Sequence, residues 1–294
     1  MSGLKESYGS AMKLRNANSD IFVPDGAPLD AALARTTHMS VSAHQDDIEI
    51  MAYHGIAECY GRSDRWFTGV VVTNGAGSPR AGIYAGLSDE DMQKIRVQEQ
   101  RKAAFVGDYS CQLQLGYASA EAKDQSNTPL RAELAGIFAA CHPEVVYLHN
   151  LADKHDTHIG VTLHCIAALR SLPYAERPKK VYGCEVWRDL DWLPDQHKHG
   201  LPVFERSNIA AALVGIFDSQ VSGGKRYDLA TAGRRLANAT YASSHATDVE
   251  SALTFAMDLT PLVTDLTLNP AGYVLRFIDE FRADVAARLS RWKP

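Results

Sequence analysis

Residues 38–59, HMSVSAHQDDIEIMAYHGIAEC, change character partway along. His38 to Ala43 is a short run of Met, Val and small residues, the composition of a buried strand. From Asp47 onward the apolar positions Ile48, Met51, Ala52, Ile56 and Cys59 fall on one stripe of a helix, with Gly61 placed to stop it. His44, Asp46 and Asp47 therefore sit on the turn at the carboxyl end of a strand, where an open α/β sheet places its ligand site. An imidazole and two carboxylates in one turn are costly unless something positive holds them, and a divalent metal is the economical explanation. Acidic residues also suit a helix N-terminus, so the turn alone leaves an ordinary capped helix start open.

Working outward, Trp66 to Thr73 (WFTGVVVT) reads as a second buried strand. Residues 74–86, NGAGSPRAGIYAG, lack any GxGxxG or P-loop pattern and read as a substrate rim. On that rim Asn74 is placed to touch the site and Arg80 to meet an anionic substrate. Ser88, with Asp91 at the capping-box position, opens a helix that runs to about Val106 and stops at Gly107. Strands follow near Cys111–Leu115, Glu144–Leu148 and Lys180–Val186, with helices at Thr128–Ala140 and after His158. This β-α alternation over residues 35–187 predicts a Rossmann-like, mostly parallel sheet with helices on both faces. The rest reads as a mainly helical C-terminal extension (203–220, 227–241 and 272–292) of a single domain.

The second cluster, His149 to His158 (HNLADKHDTH), directly follows the strand EVVYL. It too lies at a strand's carboxyl end, so the two clusters can converge although over 100 positions separate them. Catalytic zinc commonly takes three protein ligands of His and carboxylate type plus water. His44 and Asp47 at one strand end, with His158 or His155 at the other, meet that requirement. His164 reads as a helix-face residue, and His149 as a loop residue or a group supporting the site.

These motifs resemble the PIG-L (LmbE-like) family of zinc-dependent de-N-acetylases. AHQDD resembles the family's A-H-P-D-D signature, DKHDTH its D-x-H-P-D-H motif, and VVVTNG its strand and Thr-x-Gly turn. Arg96 to Glu99, with Ala103 and Gly107 beyond, resembles its R-x-x-E helix. The resemblance covers residues 38–187 in order. It implies His44, Asp47 and His158 as ligands of Zn2+ (Fe2+ is also compatible with such a set). It further implies Asp46 as general base, His155 as oxyanion stabiliser and general acid, and Arg96 as a substrate contact. The implied activity is removal of acetyl from an N-acetylglucosamine-type substrate. Hydrolysis of another amide or a thiol-sugar conjugate, and sugar binding without catalysis, are the alternatives. Arg96 and Glu99 could instead form a surface ion pair. Gln45 stands where the motif has proline, which is expected to loosen the turn. Thr157 stands where it has the aspartate that orients the catalytic histidine. An imidazolium at His155 is then less favoured unless Asp153 or Asp156 compensates. Trp187-Arg188, residues 217–220 and residues 241–245 are candidate walls.

Composition narrows the remaining classes. A formal charge of −5 without basic runs argues against nucleic acid or an anionic membrane as partner. The polar N-terminus lacks a signal-peptide core. The five dispersed cysteines read as reduced core thiols of a cytoplasmic protein. A small-molecule amino sugar is the expected partner, and a homo-oligomer is compatible with the sequence.

Overall fold

The computed structural model describes residues 12–292, so the first part of the N-terminal segment, residues 1–11, lies outside the described residues. In chain order the strands are β1 (Asp20–Phe22), β2 (His38–Ser42), β3 (Phe67–Thr73), β4 (Cys111–Tyr117), β5 (Val145–His149), β6 (Lys180–Cys184), β7 (Lys198–Pro202) and β8 (Leu253–Asp258). The helices are α1 (Leu29–Ala34), α2 (Asp47–Met51), α3 (Tyr53–Cys59), α4 (Asp89–Val106), α5 (Ser119–Lys123), α6 (Thr128–Cys141), α7 (Asp156–Ser171), α8 (Ser207–Gly215), α9 (Asp218–Val221), α10 (Tyr227–Tyr241), α11 (Thr260–Thr264) and α12 (Pro270–Ser290).

All strands join one sheet in the order β1-β4-β3-β2-β5-β6-β8-β7. The central pairs β4-β3-β2-β5-β6 are parallel, as the alternation of elements predicts. β2 and β3 are buried at every position, the signature of strands covered on both faces. One apolar layer packs α1, α6, α7, α11 and the start of α12 on one face. A second layer packs α2, α3, α4 and α8 on the other. The five cysteines are free and buried. No helix among the described residues is long and apolar enough to cross a membrane.

Three features differ from the sequence expectation. β1 adds an antiparallel edge strand that lies outside the β-α alternation read over residues 35–187. The C-terminal extension is not only helical, because β8 pairs antiparallel with β6 and β7 pairs with β8. The predicted helix from Asp47 breaks at Ala52, whose φ is −113° and ψ 18°. The break has a cause in α10: Arg235 Nη2 donates to the carbonyls of Glu49 (2.8 Å) and Ile50 (3.0 Å). A continuous helix would need those acceptors for its own i→i+4 bonds.

The helix that carries His158 sits hard against α5. A Cβ added to Gly160 of α7 would stand 2.6 Å from the Ala122 carbonyl oxygen, and Gln125 Nε2 donates to the Gly160 carbonyl at 3.2 Å. Gly160→Ala is therefore expected to lower unfolding free energy by about 1–3 kcal/mol through overpacking. Denaturant titration checks this, and unchanged stability would show that α5 yields freely.

Candidate metal centre and cleft

β2 and β5 are parallel neighbours, with Ser40 opposite Tyr147. From β2 the chain moves to β3 on one side, and from β5 to β6 on the other. This is a topological switch point, and the crevice beyond the strand ends is where ligands bind in such sheets. The turn after β2 and the loop after β5 both open into it.

Three donor atoms converge there. His44 Nδ1 lies 3.2 Å from Asp47 Oδ2, His158 Nε2 lies 3.3 Å from His44 Nδ1, and His158 Nε2 lies 3.4 Å from Asp47 Oδ2. Ligands about 2.0–2.1 Å from a tetrahedral metal are separated by about 3.3 Å, so the triangle fits a zinc-sized divalent ion without rearrangement. The His44 amide also donates to Asp47 Oδ2 at 2.8 Å, fixing that carboxylate. Burial works against an ionised Asp47, but His158, His149 and His44 overcome it and hold the carboxyl well below the usual range. Burial likewise opposes charge on His158, and Asp47 and Asp153 prevail, raising its pKa.

Asp153 orients His158. Its Oδ2 lies 3.2 Å from His158 Nδ1 and accepts the Trp187 amide at 3.2 Å. His158 is on the first turn of α7, which begins at Asp156 and so ahead of the expected start. His155 is its N-cap. His149 is not a loop residue: it ends β5, is fully buried and stacks on His158 with ring centroids 3.8 Å apart. Two further overlapping sets here could hold a metal, the all-histidine His44-His155-His158 and Asp47-His149-His158. The second is disfavoured because His149 Nε2 already accepts the Ala43 amide at 2.9 Å. His164 faces away and approaches the Asp124 carbonyl oxygen at 3.1 Å.

Asp46 stands beside the triangle. Its φ of 86° is a left-handed conformation that a non-glycine residue adopts only when its surroundings hold it. Arg96 provides the hold, donating to the Gln45 carbonyl and lying 3.3 Å from Asp46 Oδ2. Burial, opposed by Arg96 and reinforced by Asp47, raises the Asp46 pKa to about 7. Arg96 is thus buried beneath the site, 1% exposed, and makes no surface ion pair. Glu99, 4.0 Å from it, accepts the Ser219 amide and hydroxyl at 2.8 and 2.7 Å and so ties α9 to α4. Gln45 anchors the turn instead of loosening it: its Nε2 donates to the Thr73 carbonyl (3.3 Å) and Gln114 Oε1 (3.2 Å).

The cluster opens into a cleft of about 500 Å³ walled by Gly75, Ser78, Trp187, Gln220, Lys225 and Tyr227, among others. His155 and Arg96 line it as well. Two expected contacts are placed elsewhere. Asn74 faces a separate depression and accepts the Ala76 amide at 3.1 Å. Arg80 is spent on its own loop, donating to the Ala76 and Leu87 carbonyls and to Asp89. Trp187 and Gln220 confirm two wall segments, whereas Arg188 and residues 241–245 do not line the cleft. Ser119, Lys123, Lys225 and Tyr227 line it without any motif to mark them; only the fold brings them together.

His155 carries no carboxylate. Asp153 Oδ1 takes its backbone amide at 3.2 Å, not its ring, and Asp156 is exposed. The His155 Nδ1 is buried without a partner. Burial, His158 and His44 lower its pKa to about 4, which favours the neutral imidazole.

Fold and cluster together define an α/β protein with a candidate His/Asp metal site at its switch point. Residues 39–169 match the family model PIG-L: GlcNAc-PI de-N-acetylase. No curated protein matches the sequence. Among solved structures, the fold is similar to the 4-carboxy-2-hydroxymuconate hydratase GalB from Pseudomonas putida KT2440, with a TM-score of 0.59 and 16% identity over 76% of this chain and 96% of that one. It is similar to the N,N'-diacetylchitobiose deacetylase from Pyrococcus horikoshii, with a TM-score of 0.58 and 12% identity over 79% and 88% of the two chains. It is also similar to a deacetylase of the teicoplanin biosynthesis pathway, with a TM-score of 0.53 and 15% identity over 76% and 97%.

Removing the buried cation tests the arrangement independently of activity. Arg96→Met leaves Asp46 and Glu99 buried without it and is expected to cost about 3 kcal/mol of stability. A carboxyl whose pKa is raised in the folded state loses stability as pH rises from its unfolded value, about 4, towards its folded value. The penalty should therefore be larger at pH 8 than at pH 5. Equal penalties by denaturant titration at the two pH values would contradict the assigned pairing.

Proposed function

We propose that this chain is a metal-dependent amidohydrolase that removes acetyl from an N-acetylglucosamine-type amino sugar. The observation that carries this reading is the division of the turn, with Asp47 in a donor triangle and Asp46 beside it held by Arg96. The PIG-L match and the deacetylases among the similar structures support it. So do Trp187 and Tyr227 in the cleft, since aromatic faces suit the apolar face of a sugar ring.

His44, Asp47 and His158 would hold the metal, zinc by donor set, although iron suits the same ligands. A divalent cation there supplies a water of lowered pKa, near ~7 for zinc, and an electrophile for the carbonyl oxygen. Asp46 accepts the proton of the attacking water. With a pKa of about 7, it can return that proton to the leaving nitrogen. The products balance as acetate and a free amine. His155, neutral, donates a hydrogen bond to the carbonyl oxygen as negative charge develops on it. Arg96 acts through Asp46, not on the substrate.

Thr157 favours keeping a second reading, hydrolysis of a different amide or a thiol-sugar conjugate, because a neutral His155 restricts which leaving groups are served. Amine release from a panel of N-acyl sugars and other amides separates the two. Failure of every substrate would favour sugar binding without catalysis.

Asp46→Asn should retain metal by elemental analysis and lose about 10²–10⁴-fold in turnover; a fully active variant would remove Asp46 from the reaction. Asp153→Asn should weaken metal binding by about 10–100-fold in chelator competition, because His158 loses its orienting carboxylate. Unaltered affinity would mean that α7 alone positions the ring.

A further inference from the structure

The buried face of α12 ends early. Tyr273, Val274 and Phe277 pack into the core, but every residue from Ile278 to Ser290 is exposed. Helical propensity alone does not hold a lone segment of that length in water. The exposed face is apolar nonetheless: Leu275 is 56% exposed, Ile278 41%, Phe281 41%, Val285 39%, Leu289 69% and Trp292 83%. The five from Leu275 to Leu289 are confined by their spacing to about 120° of the helix circumference, and Trp292 follows two residues past the helix end. Beside the first half of this stripe runs an apolar groove of about 590 Å³, floored by Leu151 and Ala152 and walled by Trp192 and Ala271.

We infer that α12 is a homodimerisation element that pairs antiparallel with α12 of a second copy about a two-fold axis between residues 281 and 282. The stripe is nearly palindromic about that point. Leu275 falls level with Leu289 of the second copy, Ile278 with Val285, and Phe281 beside its own equivalent. Trp292 then reaches the level of Ala271, at the mouth of the groove. A groove half-built by one helix admits another, and the projecting half of α12 is an apolar helix of matching length. Asp279 and Arg282, 3.3 Å apart within one helix, flank the axis, so each can pair across it equally well. The six side chains expose roughly 600 Å² per copy, or roughly 1,200 Å² for the pair, which reaches the lower bound of a stable interface.

The arrangement also has a bearing on the site. Leu151 and Ala152 precede Asp153, so a helix seated in the groove braces the loop that orients His158.

Light scattering of the full chain at tens of micromolar tests the proposal. A dimer is expected, and Val285→Asp with Leu289→Glu should make it a monomer. Because the five native cysteines are buried, Phe281→Cys should form a disulfide-linked dimer under mild oxidant. Leu275→Cys should cross-link with Leu289→Cys in a mixture, and neither should cross-link alone. A wild-type monomer would overturn the proposal and leave the stripe to a helix of another protein. A dimer that survives the double substitution, or one that cross-links Leu289→Cys to itself, would overturn it too.

Discussion

The parallel pairing of β2 with β5 is the contact on which the site depends. Three registered positions, His38 with Val145, Met39 with Val146 and Ser40 with Tyr147, fix the two strand ends side by side. The chain leaves them in opposite lateral directions, so the loops diverge and open a crevice. The first bond beyond the ladder is already part of the site, because the Ala43 amide donates to His149 Nε2. His149 then stacks on His158, which meets His44 and Asp47. A slip of one residue in this register would turn each side chain to the other face of the sheet and separate the donor atoms.

The second constraint is the burial of charge. Asp46 and Asp47 are adjacent, both buried, and driven in opposite directions. Three imidazoles surround Asp47, whereas Asp46 faces a single guanidinium. Arg96 reaches it from α4, whose start is secured by the Ser88–Asp91 capping box. One turn further along, Glu99 fastens Ser219 of α9, next to Gln220 in the cleft wall. α4 thus couples the strained turn to the opposite wall, and the φ of Asp46 is tolerable because groups from several elements determine it.

What could be read from the sequence was what depends on local pattern. The periodicity of residues 47–59, the capping box and the valine-rich strands each carry their own signal, and they sufficed for the parallel core and for both clusters. What could not be read depends on tertiary partners. β7 contains Gly200 and Pro202 and pairs only at the sheet edge, so no run marks it. The helix break at Ala52 comes from Arg235, far along the chain. Arg96 and Glu99, three apart on a helix, look alike whether the helix is buried or exposed. Arg80 offered charge in the right loop, but the loop's own carbonyls and Asp89 use it. Asp153 was visible as a carboxylate near two histidines, yet only the fold shows that it serves His158 and leaves His155 unsupported.

Thr157 brings no charge to the neighbourhood of Asp46 and His155. In an ordinary solvent setting an imidazole holds its proton to higher pH than a carboxylate does. Here burial penalises charge on both groups and moves them in opposite directions, Asp46 up to about 7 and His155 down to about 4. The usual order is inverted. A carboxylate at position 157 would oppose the inversion by favouring the imidazolium, whereas a threonine hydroxyl has no charge with which to do so. On the proposed reading, the proton taken from water therefore stays on Asp46 until the leaving nitrogen accepts it, and His155 contributes polarity without changing charge. On that reading, the substitution that looked in the sequence like a weakened site belongs to a site that moves its proton through a single carboxylate.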